Sequence, residues 1–169
     1  MVIWRAPRSP QIKLNTDGSF DRDTLIAGRG GLIRDHSGRL MLAFHYFFQA
    51  VSSFHAELLA LEMGLRHARK FSLQIWIELD AAAVVTTITS GGLGSWQVQH
   101  TLIRIRSMLR GLQYSISHIH REGNRPADHL AELGATALGS HIVNEGTTSH
   151  HPLALIRMDQ LGYPSFRFS

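Results

Sequence analysis

Three extended segments precede the first helical one, and that order restricts what the chain can fold into more than any other feature of it. Ile12–Thr16 alternates apolar and polar residues, the period of a strand with one buried face. Gly28–Asp35 and Arg39–Phe47 read as two further strands, joined at Asp35-His36-Ser37-Gly38 in a hairpin. Ser52 or Ser53 then offers an N-cap, and Phe54, Leu58, Leu61, Leu65 and Ala68 mark the buried stripe of a helix ending near Phe71. Gln74–Leu79 is extended again. Ala81–Thr89 reads as a short helix closed by Ser90-Gly91-Gly92. A second helix from Gln97 to Gly111 turns Val98, Leu102, Ile105 and Leu109 inward and carries Arg104, Arg106 and Arg110. Tyr114–His120 alternates, and Asn124 caps a last helix over Arg125–Ala137. Strands and helices interleave, which is α/β organisation. The glycines at 28–31 lack G-x-G-x-x-G spacing and open no helix, so they read as strand glycines that allow close packing.

A chain of 169 residues is expected to form one domain. Its boundaries are set at an extended lead-in over 1–11, a folded unit over 12–138, and a loosely attached or disordered tail over 139–169. The tail shows no clear period; its stretch Leu153–Met158 is the part able to pack on the body. Hydrophobic residues at 44% and charged residues at 18% are ordinary for a globular protein. The absence of cysteine excludes a disulfide framework and a thiolate metal site, and fits a reducing compartment such as cytoplasm or nucleus. No apolar stretch approaches a membrane span, and Met1–Arg8 holds no signal-peptide core, so no membrane partner is expected. The net charge is +4, with 11 His besides. The basic residues are Arg except for Lys13 and Lys70, and a planar guanidinium grips two phosphate oxygens at once. The charge is compatible with a nucleic-acid partner and equally with a merely soluble basic surface.

Four carboxylates stand in settings that ask for a reason. Asp17 ends the first extended run and is followed by Gly18-Ser19. Glu57 lies inside the apolar helical stripe, at i+3 from Phe54 and i−4 from Leu61, whereas Glu62 points off that stripe toward solvent. Asp80 ends the run Ile75–Asp80. Asp128 opens the last helix. Each has a structural alternative: Asp17 as a turn residue, Asp80 as a helix cap, Asp128 as a favourable charge at a helix start. Glu57 is hardest to dismiss, because an acid in a buried stripe is unfavourable without a partner. Two strand ends, a helix interior and a helix start can meet at one edge of a sheet. Clustered carboxylates persist where a cation compensates them, and an all-oxygen set suits a hard ion such as Mg2+.

The runs Lys13–Phe20, Ala27–Asp35, Ala56–Leu61, Glu78–Asp80 and His120–Ala131 together resemble ribonuclease H. They are most similar to the plant ribonuclease H-like domains associated with non-LTR retrotransposon reverse transcriptases. Trp4-Arg5-Ala6-Pro7 and Met158–Gly162 resemble the flanks of those domains. The resemblance implies an α/β, ribonuclease H-like fold: a five-stranded mixed sheet, its first three strands antiparallel, with helices on both faces. It implies endonucleolytic cleavage of the RNA strand of an RNA–DNA hybrid by two Mg2+ ions, for which Mn2+ can substitute. Asp17, Glu57, Asp80 and Asp128 would be the catalytic, metal-binding acids. Gly18, Ser19, Ser52, Ser53, Arg121 and Asn124 would contact the nucleic acid, which is recognised as RNA through its 2′-OH groups. A monomer is expected, free-standing or part of a larger polyprotein.

The chain departs from that pattern in three places. Many relatives carry a His in a flexible loop before the last Asp; here the loop is short and Arg121 stands near that place, with His118 and His120 in the strand before it. Ala81 follows Asp80 where Ser is common. The basic, Trp-bearing insertion of some relatives is replaced by Ser90–Trp96. Besides an active enzyme, the same residues allow a catalytically weak or inactive nucleic-acid-binding domain of retroelement origin. A DNA exonuclease or integrase of the same superfamily fits Asp17-Gly18-Ser19 and Asn124…Asp128 less well.

Overall fold

The computed structural model describes residues 1–137 and 140–166. The expected boundary at 138/139 lies outside the described residues. Strands β1 (Ile12–Phe20), β2 (Ile26–Arg34) and β3 (Leu40–Gln49) come first, then helix α1 (Ser53–Ala68). Strand β4 (Gln74–Leu79), helix α2 (Ala82–Ser90), helix α3 (Gln99–Leu109), strand β5 (Gln113–His118) and helix α4 (Arg125–Thr136) follow. Strand β6 (His141–Val143) and helix α5 (His150–Gln160) complete the chain. The sheet order is β5-β4-β1-β2-β3-β6. β1, β2 and β3 are mutually antiparallel, and β4 and β5 add parallel to β1. Among the described residues no helix is long and apolar enough to cross a membrane.

Strand alternation assigns the two faces. Ile12, Leu14 and Ile33 meet Leu58, Leu61 and Leu65 of α1 and Leu102 and Ile105 of α3 in the larger core. Leu32, Leu40 and Ala43 meet Ala127 and Leu130 of α4 and Ile156 of α5 on the opposite face. The glycine-rich start of β2 is where α4 comes closest. A Cβ on Gly28 would lie 2.0 Å from the Ala131 carbonyl oxygen, and one on Gly30 would lie 2.3 Å from the Ala131 nitrogen. The missing side chains let the helix backbone rest on the strand.

The structure differs from the sequence expectations in four respects. The sheet has six strands, not five, because the three-residue β6 is too short to show a period. β1 continues to Phe20, so Asp17 is a strand residue and not its end; the turn comes at Asp21. Gly18 is there for packing: a Cβ would lie 2.5 Å from the Glu57 nitrogen. The segment 139–169, expected as a loose or disordered extension, carries β6 on the edge of β3 and α5 against α4 over its described residues, 140–166. Finally, Glu62 is only 5% exposed. Because α1 is covered by the sheet on one side and α3 on another, Glu62 lies in the second contact, bound to Arg66 at 2.7 Å and Arg104 at 2.9 Å.

Candidate active site

β4 stops at Leu79, paired with Thr16, while β1 runs on alongside β2 alone. A notch therefore opens at the carboxyl end of two parallel strands, the place where α/β sheets hold their ligands. Asp17 stands on the continuing strand and Asp80 on the first residue past the ending one. α1 crosses this end of the sheet, pressed on Gly18, and so delivers Glu57. Its start is set by Ser52, whose Oγ accepts a hydrogen bond from the His55 amide at 3.1 Å. α4, seated on Gly28 and Gly30, brings Asp128 in its first turn.

Carboxylate oxygens of Asp17, Glu57 and Asp80 lie within 4.8 Å of one another, the one such group of three or more potential ligands among the described residues. They open into a cavity of about 310 Å3 whose lining also includes Ser19, Ser53, Arg121, Asp128 and Glu132. Burial, and then the charges of Asp80 and Asp128, push the Asp17 carboxyl up to about 8. Burial, and then Asp17 and Asp80, push Glu57 up to about 10, against the Gly18 amide, which donates to Glu57 Oε2 at 3.2 Å. Carboxylates this close and this dry stay protonated or take up a cation. The donors are all oxygen, so the set fits a hard divalent ion such as Mg2+.

Asp128 is set apart from the other three. Its Oδ1 accepts from Arg121 Nε at 3.1 Å and Nη2 at 2.7 Å. It borders the cavity as the partner of a guanidinium that is 69% exposed. The structural alternatives fare differently. Asp80 caps no helix: Ala81 is the N-cap of α2, with no side-chain bond, and Asp80 Oδ1 accepts from Asn124 Nδ2 at 2.9 Å. Asn124 holds the N-cap position of α4 without a side-chain capping bond. Its NH2 group also donates to the Thr16 carbonyl at 3.0 Å, and at 1% exposure it faces the interior and not a passing strand. Gly18 is likewise engaged by α1. Ser19 and Ser53 line the cavity, whereas Ser52 is occupied as a cap. His118 and His120 stack edge to face, 5.4 Å apart, and are not part of the cavity lining.

Two residues of this region were not singled out in the sequence. Glu132 sits four residues after Asp128, hence on the same side of α4, and that spacing was a usable signal. Asn15 bonds to Asn124 across 109 positions, a relation that no local pattern reveals.

Residues 15–134 match a family described as reverse transcriptase-like. A protein of Arabidopsis thaliana, provisionally named a ribonuclease H protein, is 29% identical over 168 residues, covering 96% of this chain. The chain spans only 26% of that relative's length. RNase H1 from Halobacterium salinarum NRC-1 superposes with a TM-score of 0.68 at 22% identity, over 73% of this chain and 96% of that one. LC11-RNase H1, isolated from compost, was solved in complex with an RNA/DNA hybrid. In that form it superposes with a TM-score of 0.65 at 20% identity, over 73% of this chain and 96% of that one. At these identities the structural likeness concerns the fold.

Proposed function

Because the chain belongs to the reverse transcriptase-like family and folds as a ribonuclease H domain, we propose that it hydrolyses the RNA strand of RNA–DNA hybrids internally, as a Mg2+-dependent enzyme. The observation that carries this reading is the trio Asp17, Glu57 and Asp80, gathered within 4.8 Å where burial makes three bare anions untenable. These residues would hold the metal, two ions in the full reading, with Asp128 completing the set. Bound there, divalent ions supply the Lewis acidity that a phosphodiester displacement needs, and Mn2+ can replace Mg2+. Asn124 keeps Asp80 oriented. Ser19 and Ser53 present hydroxyls along the wall, suited to the 2′-OH groups of an RNA strand. Arg121 places a positive charge at the mouth, able to meet a phosphate when it leaves Asp128. A relative of the same fold binds an RNA/DNA hybrid, which supports this choice of substrate.

The Arg121–Asp128 pair favours a second reading, a weak or inactive hybrid-binding domain in which the fourth acid stays occupied by the arginine. One experiment separates the two. A labelled hybrid is incubated with Mg2+, Mn2+ or EDTA, with DNA duplex and RNA duplex as controls. Cleavage of the RNA strand of the hybrid alone, silent in EDTA, is expected. Binding without cleavage supports the second reading, cleavage of the DNA strand moves the chain to the DNA nucleases, and activity in EDTA removes the metal mechanism.

A further inference from the structure

Asn124, which holds Asp80, is itself held from behind. Its Oδ1 accepts a hydrogen bond from Asn15 Nδ2 at 3.2 Å, and the same Nδ2 donates to Glu78 Oε2 at 3.0 Å. On its other side, Asn15 Oδ1 accepts from Trp4 Nε1 at 3.0 Å and from Arg34 Nη2 at 2.9 Å. Arg34 donates through Nη1 to Asp159 Oδ2 at 2.7 Å and stacks over the Trp4 ring, 3.5 Å from its centroid. Trp4 belongs to the lead-in and Asp159 to α5; both lie outside the stretch 15–134 that the family shares. Asn15, Arg34 and Asn124 are all 1% exposed or less, so water hardly competes for these bonds.

A side-chain amide can turn over, exchanging oxygen for NH2 with almost no change of shape. Turned over, Asn124 would face the Asp80 carboxylate with a lone pair, and attraction would become repulsion. Its orientation is set on the near side by the Thr16 carbonyl and the Asp80 carboxylate, which only accept. On the far side it is set by a chain of bonds that demands the same sense. An indole N–H and a guanidinium can only donate, so Asn15 must aim its oxygen at Trp4 and Arg34. The Asn15 NH2 group then faces Asn124, which must accept there, and this leaves the Asn124 NH2 for Asp80 and Thr16. We infer that Asn15, Trp4, Arg34 and Asp159 are positioning residues for Asp80: the two flanks of the chain lock, from behind, the polarity of a buried amide relay that aims a metal-ligating carboxylate. The inference rests on reading the acids as a metal site, and it assigns to the lead-in and α5 a part in that site.

The test uses the whole chain. Asn15→Leu removes the relay at nearly constant volume, and Asp159→Asn leaves its shape but takes the carboxylate from Arg34. Thermal melts establish that each variant is folded; if Asn15→Leu is not, Asp159→Asn carries the test. Two quantities are read: the Asn124 side-chain NH2 resonances, identified by their loss in Asn124→Asp, and the Mn2+ affinity of the free protein by calorimetry. Both variants are expected to move those resonances and to weaken Mn2+ binding by about 10- to 100-fold, as loss of outer-shell partners does, with Asp159→Asn at the lower end. Asp23→Asn, which removes a carboxylate from an exposed turn, should change neither. Resonances in place, or full affinity in a folded Asp159→Asn, overturns the relay. A wild-type chain that binds Mn2+ and leaves the hybrid uncut overturns the ribonuclease reading while the relay stands. A wild-type chain that binds no Mn2+ overturns both.

Discussion

Asp17 is the residue on which the charge problem of the site converges, since burial, then Asp80 and Asp128, all act on it in the same direction. Its folded-state value, and that of Glu57, lie above the values of an unfolded chain. Between the two, the folded state binds more protons than the unfolded one, so this contribution to stability is present at low pH and lost as pH rises through the folded values. In metal-free buffer the wild type should therefore lose melting temperature relative to Asp17→Asn as pH rises from about 4 to about 8. Asp17→Asn should also be at least as stable as wild type at neutral pH and devoid of cleavage. A marked drop in its melting temperature, read by calorimetry, would identify Asp17 as a structural residue. Arg121 calls for a different expectation. Its pair with Asp128 is largely solvent-exposed and is worth about 0–1 kcal/mol, so Arg121→Ala should melt almost like wild type. It should slow turnover more than it weakens hybrid binding; a change confined to KM would make Arg121 a substrate handle.

At the scale of elements, the seat of α4 on β2 governs whether the fourth acid reaches the cleft. Gly30→Ala puts a methyl group into the Ala131 backbone. It should destabilise the protein by about 1–3 kcal/mol, as overpacking does, and reduce turnover as α4 lifts Asp128 away. Urea titration and single-turnover cleavage check the two parts; full turnover in a destabilised variant would show that Asp128 is dispensable. α3 carries a different kind of prediction. Its arginines suggest a phosphate-binding face, but Arg104 is clamped on Glu62 and Arg106 donates to the carbonyls of Thr87 in α2 at 3.2 Å and of Gly92 just past it. Arg106→Ala should thus lower the melting temperature and leave the salt dependence of hybrid binding unchanged; a slope reduced by about one would place it on a phosphate instead. These elements also mark what sequence could tell. Period two and helical spacing located five strands and four helices because each buries one face. Glu62 escaped because α1 is buried on two faces, and α5 because its apolar residues bunch in the run Leu153–Ile156 and mark no helical period. The acids were legible one by one, but Asn15 looked like any polar residue of an alternating strand.

At the scale of the whole molecule, the first and last described segments meet. Val2 and Ser165 exchange backbone hydrogen bonds at 2.8 Å in both directions, and Arg34, fully buried, has its carboxylate partner in Asp159 of α5. Removing residues 144–169 would strand that guanidinium in the interior. Breaking a buried pair from one side costs about 3–5 kcal/mol, a large share of a small domain's stability, and the midpoint of urea unfolding should fall accordingly. An unchanged midpoint would mean that the tail is accessory. The short strand β6 adds a consequence of another sort. It pairs with Ala43–His45 of a ten-residue strand that carries Phe44, Tyr46, Phe47 and Phe48. Without it, the outermost backbone of the sheet is a bare template on which a second chain can lay its own strand. Among the described strands β6 is made after β3, so a newly made chain passes through that state. Three residues then act as a guard against self-association, and their loss would be felt first as precipitation that worsens with concentration, at temperatures where the fold itself still holds.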